Sequence, residues 1–361
     1  MGVYVNAKTN TLETALHKSV ARRDLEITTF LCDLDYIFLS EDSLGKTALD
    51  YAVATDPFDK AIITQFLRKA TPNVLQNALL LAIRSKRVMV VRYLAENIDT
   101  QRFNWFEKPL EAAARIGHLP CLDALLSSGK ANSTGRTSAG GPAFLAACGL
   151  GKLAVVQRLQ ALVVTTNLKD LNGNSPLHLA AANGHEDIAL WILQKAANKA
   201  DVNIRDKNIA GQTPLSYAAQ NGHETIVKLL LATEGVEADS KTTDGRTPLS
   251  YAAENGHETI VRLLLDAGKV DPTTKDNLNR TPWSLAVVNG HKAVAKLLPA
   301  DSIDYTFDGL FDLSTPTMEL AKPIDPGNVL DGFDFESFLH DNDGDDGVFA
   351  FPETFSMDDE S

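Results

Sequence analysis

The sequence predicts an all-α protein: a helical solenoid of helix-turn-helix repeats with hairpin turns, followed by an acidic C-terminal tail. Three observations carry this reading. A motif recurs about every 33 residues, Pro and Gly punctuate it at fixed places, and the composition changes abruptly after Leu298. The boundaries that follow are 1–300 for a solenoid of about nine units, the last four at roughly 168–300 the clearest, and 301–361 for a tail expected to be disordered.

Four segments superimpose directly: SPLHLAAANGHEDIALWIL from Ser175, TPLSYAAQNGHETIVKLLL from Thr213, TPLSYAAENGHETIVRLLL from Thr247 and TPWSLAVVNGHKAVAKLL from Thr281. The same frame continues upstream in weaker form, so that equivalent positions fall at 16, 49, 79, 110, 143, 177, 215, 249 and 283. Each recurring residue has a local physical role. Thr or Ser before Pro caps a helix, and Pro at the first helical position loses nothing by lacking an N–H. Helices are therefore expected to start at Pro176, Pro214, Pro248 and Pro282. The Leu and the paired alanines lie on one face, where small side chains let helices approach closely.

Gly184, Gly222, Gly256 and Gly290 stand where a left-handed residue ends that helix. A second helix follows at once, with Val227, Leu230 and Leu231 at helical spacing. Turns at Gly173, Gly211 and Gly245 return the chain to the next cap. The unit from Asn77 lacks both the cap and the Gly-His pair. The first unit, with Arg22, Arg23 and Asp24 at that place, suits a solvent-facing end of the stack.

This unit resembles the ankyrin repeat, whose signatures stand nearly intact at Ser175 to Ala181 and Gly184 to His185. The resemblance covers roughly residues 10–300. It implies a solenoid that binds other proteins through its turn tips and the starts of its first helices. By position the expected contacts are Leu171, Asn172, Asn174, Gln212, Asp244, Arg246, Asn277 and Arg280, with Gln220, Glu254 and Asn289 near the helix ends.

The tail is different chemistry. Residues 301–361 hold 17 acidic residues against the single base Lys322, and eight of the fifteen phenylalanines. The tail thus carries −16 and the rest of the chain +3, although the whole has a net charge of −13. Acids interleaved with aromatics oppose stable collapse and keep the rings accessible to a partner's groove. Phe335, Phe338 and Leu339 would share a face if the segment turned helical on binding, and Phe333 adjoins them. This composition resembles acidic activation domains. The string Phe-Asp-Phe-Glu-Ser-Phe-Leu is similar to C-terminal segments of fungal ankyrin-repeat transcription coregulators.

That resemblance implies a nuclear coregulator, an activator whose solenoid binds a DNA-bound transcription factor and whose tail recruits coactivator machinery. It also implies control of a fungal secondary-metabolite gene cluster. The alternative is a cytoplasmic protein-protein interaction scaffold or inhibitor. The negative balance disfavours unassisted binding to nucleic acid or anionic membrane, and no run of about 18 apolar residues occurs. Among basic runs only Arg84-Ser-Lys-Arg87 suggests an import signal.

No catalytic chemistry is expected. The sequence lacks HExxH, GxSxG and dinucleotide fingerprints. His118, His185, His223, His257 and His291 recur at whole-repeat spacings, which suit turn-bonding and not a converging metal cluster. Asp341 to Asp346 lacks the glycine and the twelfth-position Glu of a calcium loop. Gly149-Leu-Gly-Lys152 lacks the remainder of a phosphate loop and reads as a degenerate Gly-His turn. No cofactor, metal or small-molecule substrate is therefore expected. Cys32, Cys121 and Cys148, without CxxC spacing, read as buried free thiols of a reducing compartment.

Overall fold

The computed structural model describes residues 7–34, 40–98, 107–129, 140–160, 168–195 and 208–300. The chain divides into two units, Met1–Ser302 and Ile303–Ser361. The tail, with Phe333, Phe335, Phe338 and Leu339 and the acidic run from Asp341, lies outside the described residues.

Among the described residues there are eighteen helices and no strand. They come in pairs: α1 (Ala15–Ala21) and α2 (Leu25–Asp33), α3 (Ala48–Ala54) and α4 (Lys60–Lys69), α5 (Pro72–Arg84) and α6 (Val88–Asn97). Next are α7 (Glu107–Ile116) and α8 (Leu119–Ser127), α9 (Gly141–Gly149) and α10 (Leu153–Leu159), α11 (Pro176–Ala182) and α12 (Glu186–Lys195). Last are α13 (Pro214–Asn221) and α14 (Glu224–Leu231), α15 (Pro248–Glu254) and α16 (Glu258–Asp266), α17 (Pro282–Val288) and α18 (Lys292–Ala295). The first helices pack on one another in succession from α1 to α17, and the second helices form the other layer.

The caps explain the starts. Thr213, Thr247 and Thr281 accept through Oγ1 from the backbone N–H of Ser216, Ser250 and Ser284 at 3.2, 3.2 and 3.1 Å. At Ser175 the cap is more elaborate. His178 Nε2–H donates across the repeat boundary to Gln212 O at 3.0 Å, which leaves Nδ1 to accept from Ser175 Oγ and N at 2.8 and 3.2 Å. His17 repeats the arrangement between Thr14 and Lys46 O.

The ends follow the same logic. Gly184 has a φ of 73°, and the ring of His223 from the next repeat lies where its Cβ would be, 2.7 Å away. His185, His223 and His257 each donate from Nε2 to a carbonyl of the preceding repeat, Gly149, Ala182 and Gln220, at 2.9, 3.1 and 3.0 Å. These histidines are turn-bonding, as the spacing indicated. His118 differs, because its Nδ1 is buried without a hydrogen-bond partner.

Three local expectations need correction. In α9 the Lys152 N–H donates to Ala147 O, the bond that His185 N makes to Ala180 O. Phe144, not Ala143, therefore matches Leu177. The two extra residues at the start of α9 misled the sequence register. In the unit from Asn77 the helix begins earlier than expected, at Pro72, and is longer; Thr71 stands at its start but its side chain makes no capping bond. Lys86, with φ 54°, takes the glycine's conformation there, and Arg87 stands in for the histidine by donating to Ala54 O and pairing with Asp56. Part of the Arg84 to Arg87 run is thus committed to the fold. The third correction concerns the first unit: α2 exposes Ile27 and Phe30, so that end is not purely polar.

All three cysteines are buried and free. Burial pushes the Cys32 thiol up to about 11 and raises Cys121 and Cys148 as well, the opposite of what a reactive thiolate requires. No helix among the described residues is long and apolar enough to cross a membrane.

Candidate partner-binding surface

Between repeats the chain forms six-residue fingers, clearest at 42–47, 170–175, 208–213, 242–247 and 276–281. A polar first residue holds each finger closed. Asp42, Asp170 and Asp276 accept through Oδ1 from the backbone N–H of the fifth residue at 2.9, 2.7 and 2.9 Å. Asn208 and Thr242 do the same at 2.9 and 3.0 Å. The fourth residue is Gly45, Gly173, Gly211 or Gly245, or Asn279 in the last finger, all with positive φ.

Neighbouring fingers are tied into a ribbon. The N–H of Ile209, Thr243 and Asn277 donates to Asn172, Ala210 and Asp244 O of the finger before, at 3.0, 3.0 and 2.9 Å. At Gly211 the packing is so close that a Cβ would meet Thr243 N at 2.9 Å. These bonds fix the tips on a rigid backbone, as a recognition surface requires.

The structure separates the expected contacts into two groups. Leu171 is 84% exposed at its tip with Asn172 exposed next to it, and Asp244 and Asn277 are exposed on later fingers. Asn277 also donates through Nδ2 to Thr243 O at 3.1 Å. The second group is engaged in the fold. Asn174 is only 4% exposed; it donates to Asp170 Oδ2 at 2.9 Å and accepts from Asn208 Nδ2 at 3.0 Å. It braces two fingers and does not offer a surface contact. Gln212 donates to Gln220 Oε1 at 3.1 Å, and Asn289 donates to Leu285 O at 2.8 Å.

Arg246 is the centre of a charge network. It pairs with Glu254, lies 3.8 Å from Asp244 and 3.9 Å from Asp276, and covers the Tyr251 ring at 5.0 Å. Burial alone would weaken its charge, but Glu254 and the other acids more than compensate and raise its pKa. Arg280 donates to Asp276 from Nε and Nη2 at 2.8 and 2.7 Å. Burial opposes ionisation of Asp276, yet these bonds and the finger N–H groups outweigh it and hold its carboxyl below the usual range.

Of the apolar tips, sequence reasoning named Leu171 and missed three others. Ile209 is 74% exposed, and Leu44 and Leu278 are also exposed on their fingers. Leu171 and Ile209 occupy the same finger position in successive repeats. The available signal was their place between the polar first residue and the glycine, or Asn279 in the last finger, a position that packing does not fill. Among the described residues no group of His, Cys, Asp or Glu has the arrangement of a metal site.

Paired helices, fingers and inter-repeat imidazole bonds define a protein built of stacked helical repeats whose outward chemistry is recognition. The family profile described as ankyrin repeats (3 copies) matches residues 110–206, 143–242, 198–276 and 215–307. That is more than half of the chain, and the chain belongs to the ankyrin-repeat family. No curated protein matches it significantly. Protein-protein interaction is therefore the supported coarse function.

Proposed function

We propose that the chain is a transcription coregulator. Its finger ribbon binds a DNA-bound factor, with Leu171, Asn172, Ile209, Asp244 and Asn277 as contacts, and its tail recruits coactivator machinery in the nucleus. The observation that carries this reading is the partition of chemistry along the sequence. A body of +3 with a recognition surface is joined to a tail of −16 that holds eight phenylalanines. Control of a fungal secondary-metabolite gene cluster belongs to the same reading through the likeness of the Phe333 to Leu339 string to fungal coregulators.

The test is a fusion of residues 301–361 to a heterologous DNA-binding domain upstream of a reporter. Activation that collapses when Phe335, Phe338 and Leu339 are changed to Ala supports the coregulator. A silent reporter, or one indifferent to those changes, overturns it in favour of a cytoplasmic scaffold or inhibitor. The intact ankyrin body makes no use of catalytic chemistry in either reading.

A further inference from the structure

A Ser or Thr followed by Pro occurs five times among the described residues, at Thr71, Ser175, Thr213, Thr247 and Thr281. The fold consumes four of these hydroxyls. Ser175, Thr213, Thr247 and Thr281 are at most 3% exposed. Ser175 Oγ donates to His178 Nδ1 at 2.8 Å, and the three threonines accept from the first-turn N–H groups of Ser216, Ser250 and Ser284. Thr71 differs in each respect. It stands upstream of Asn77, where the repeat frame places the cap, and it is exposed. Its side chain makes no capping bond. The backbone there is extended, with ψ 143° at Ala70 and 159° at Thr71, in the short link between α4 and α5. Thr71 thus presents a hydroxyl that holds no helix start, on extended backbone, ahead of a proline that is itself partly exposed.

We propose that Thr71 is a phosphorylation site, modified by a protein kinase of the class that selects a proline after the acceptor. Thr71 Oγ1 attacks the γ-phosphorus of a nucleoside triphosphate. The Oγ1–P bond forms, the bridging P–O bond breaks to release the nucleoside diphosphate, and the hydroxyl proton passes to the kinase's catalytic aspartate. The product carries a charge of about −1.5 to −2. Arg68 and Lys69, exposed in the last turn of α4 just upstream, are the cations nearest in sequence, so the new charge falls beside two of opposite sign. Lys69 pairs with Asp33 of the first repeat at 3.6 Å. Phosphate on Thr71 offers Lys69 a competing anion and so acts on a link between the first two repeats. The inference is independent of the coregulator reading.

The test exposes the full chain to magnesium ATP and a purified proline-directed kinase of the cyclin-dependent class, and site-resolved mass spectrometry reads phosphate at each Ser or Thr before Pro. Thr315, which also precedes a proline, lies in the tail and is scored separately. Thr71 is expected to reach about tenfold or more the occupancy of Ser175, Thr213, Thr247 and Thr281, because those four become reachable only through local unfolding. Short synthetic peptides spanning the five sites are expected to lose that preference, since the fold and not the local sequence protects the other four. Thr71→Ala is expected to remove the signal from this site and Thr71→Ser to retain it. Thr71 left unmodified in the folded chain, or all five sites modified to the same extent in it, overturns the proposal.

Discussion

His223 Nε2 lies 3.1 Å from Ala182 O, and the ring that makes this bond occupies the space above Gly184. The histidine of one repeat thus closes the helix end of the repeat before it. Stability is coupled between neighbours by a hydrogen bond that no single repeat can make alone.

Gly184→Ala tests that coupling. Gly45 has a similar φ of 68° but nothing within 4 Å of its added Cβ, so Gly45→Ala carries only the backbone cost of about 1–2 kcal/mol. Gly184→Ala is expected to lose roughly 1 kcal/mol more, because the His223 ring must shift. Urea unfolding of the two variants measures the difference, and equal losses would remove the His223 contribution.

Lys86→Gly works in the opposite direction. Lys86 holds a φ of 54° at the place where other repeats have glycine. Relieving that conformation is expected to stabilise the chain by about 1 kcal/mol, read as a higher urea midpoint. A lower midpoint would contradict the register assigned to this repeat.

Asp276→Asn is expected to cost about 1–3 kcal/mol at neutral pH, because the ion pair with Arg280 and the charged acceptor of its finger are both lost. The carboxyl of Asp276 is held below the ordinary aspartate value. Its contribution is therefore present above the unfolded pKa of about 3.9 and is lost as pH falls through the lower folded value. Unfolding midpoints of the two proteins are expected to converge in acid; a constant gap would show that ionisation of Asp276 is not the source.

Asn174 and Leu171 separate a brace from a contact. Asn174→Ala removes the side-chain bonds to Asp170 Oδ2 and from Asn208 Nδ2 that tie two fingers together, and is expected to cost about 1–3 kcal/mol. Leu171→Glu, at an exposed tip, is expected to change stability by less than about 0.5 kcal/mol. Thermal melts of the two variants check the assignment.

The repeats from Ser175 onward were legible in the sequence because their caps, glycines and apolar positions all specify the same local geometry. Upstream the signal weakens for physical reasons. Lys86 and Arg23 adopt the conformation usually left to glycine, and Arg87 replaces an imidazole with a longer side chain that reaches the same carbonyl region. Neither substitution is visible as a pattern match. The register slip at Ala143 has a similar origin, since a longer α9 shifts the motif without breaking the helix.

The binding surface was less legible than the fold. Position alone placed Asn174 and Leu171 together at a turn, but a side-chain amide finds partners in the next finger, whereas an aliphatic tip has none. The separation arises from contacts between repeats, which a single unit does not specify.

The finger ribbon as the partner surface is tested most directly by quantitative affinity purification of the full chain against its Leu171→Glu, Ile209→Glu variant. Both tips are exposed, so the variant is expected to remain folded while its specific interactors fall about tenfold or more, the loss of a central apolar contact. Recovery of the same proteins at the same abundance from a folded variant would contradict the assignment.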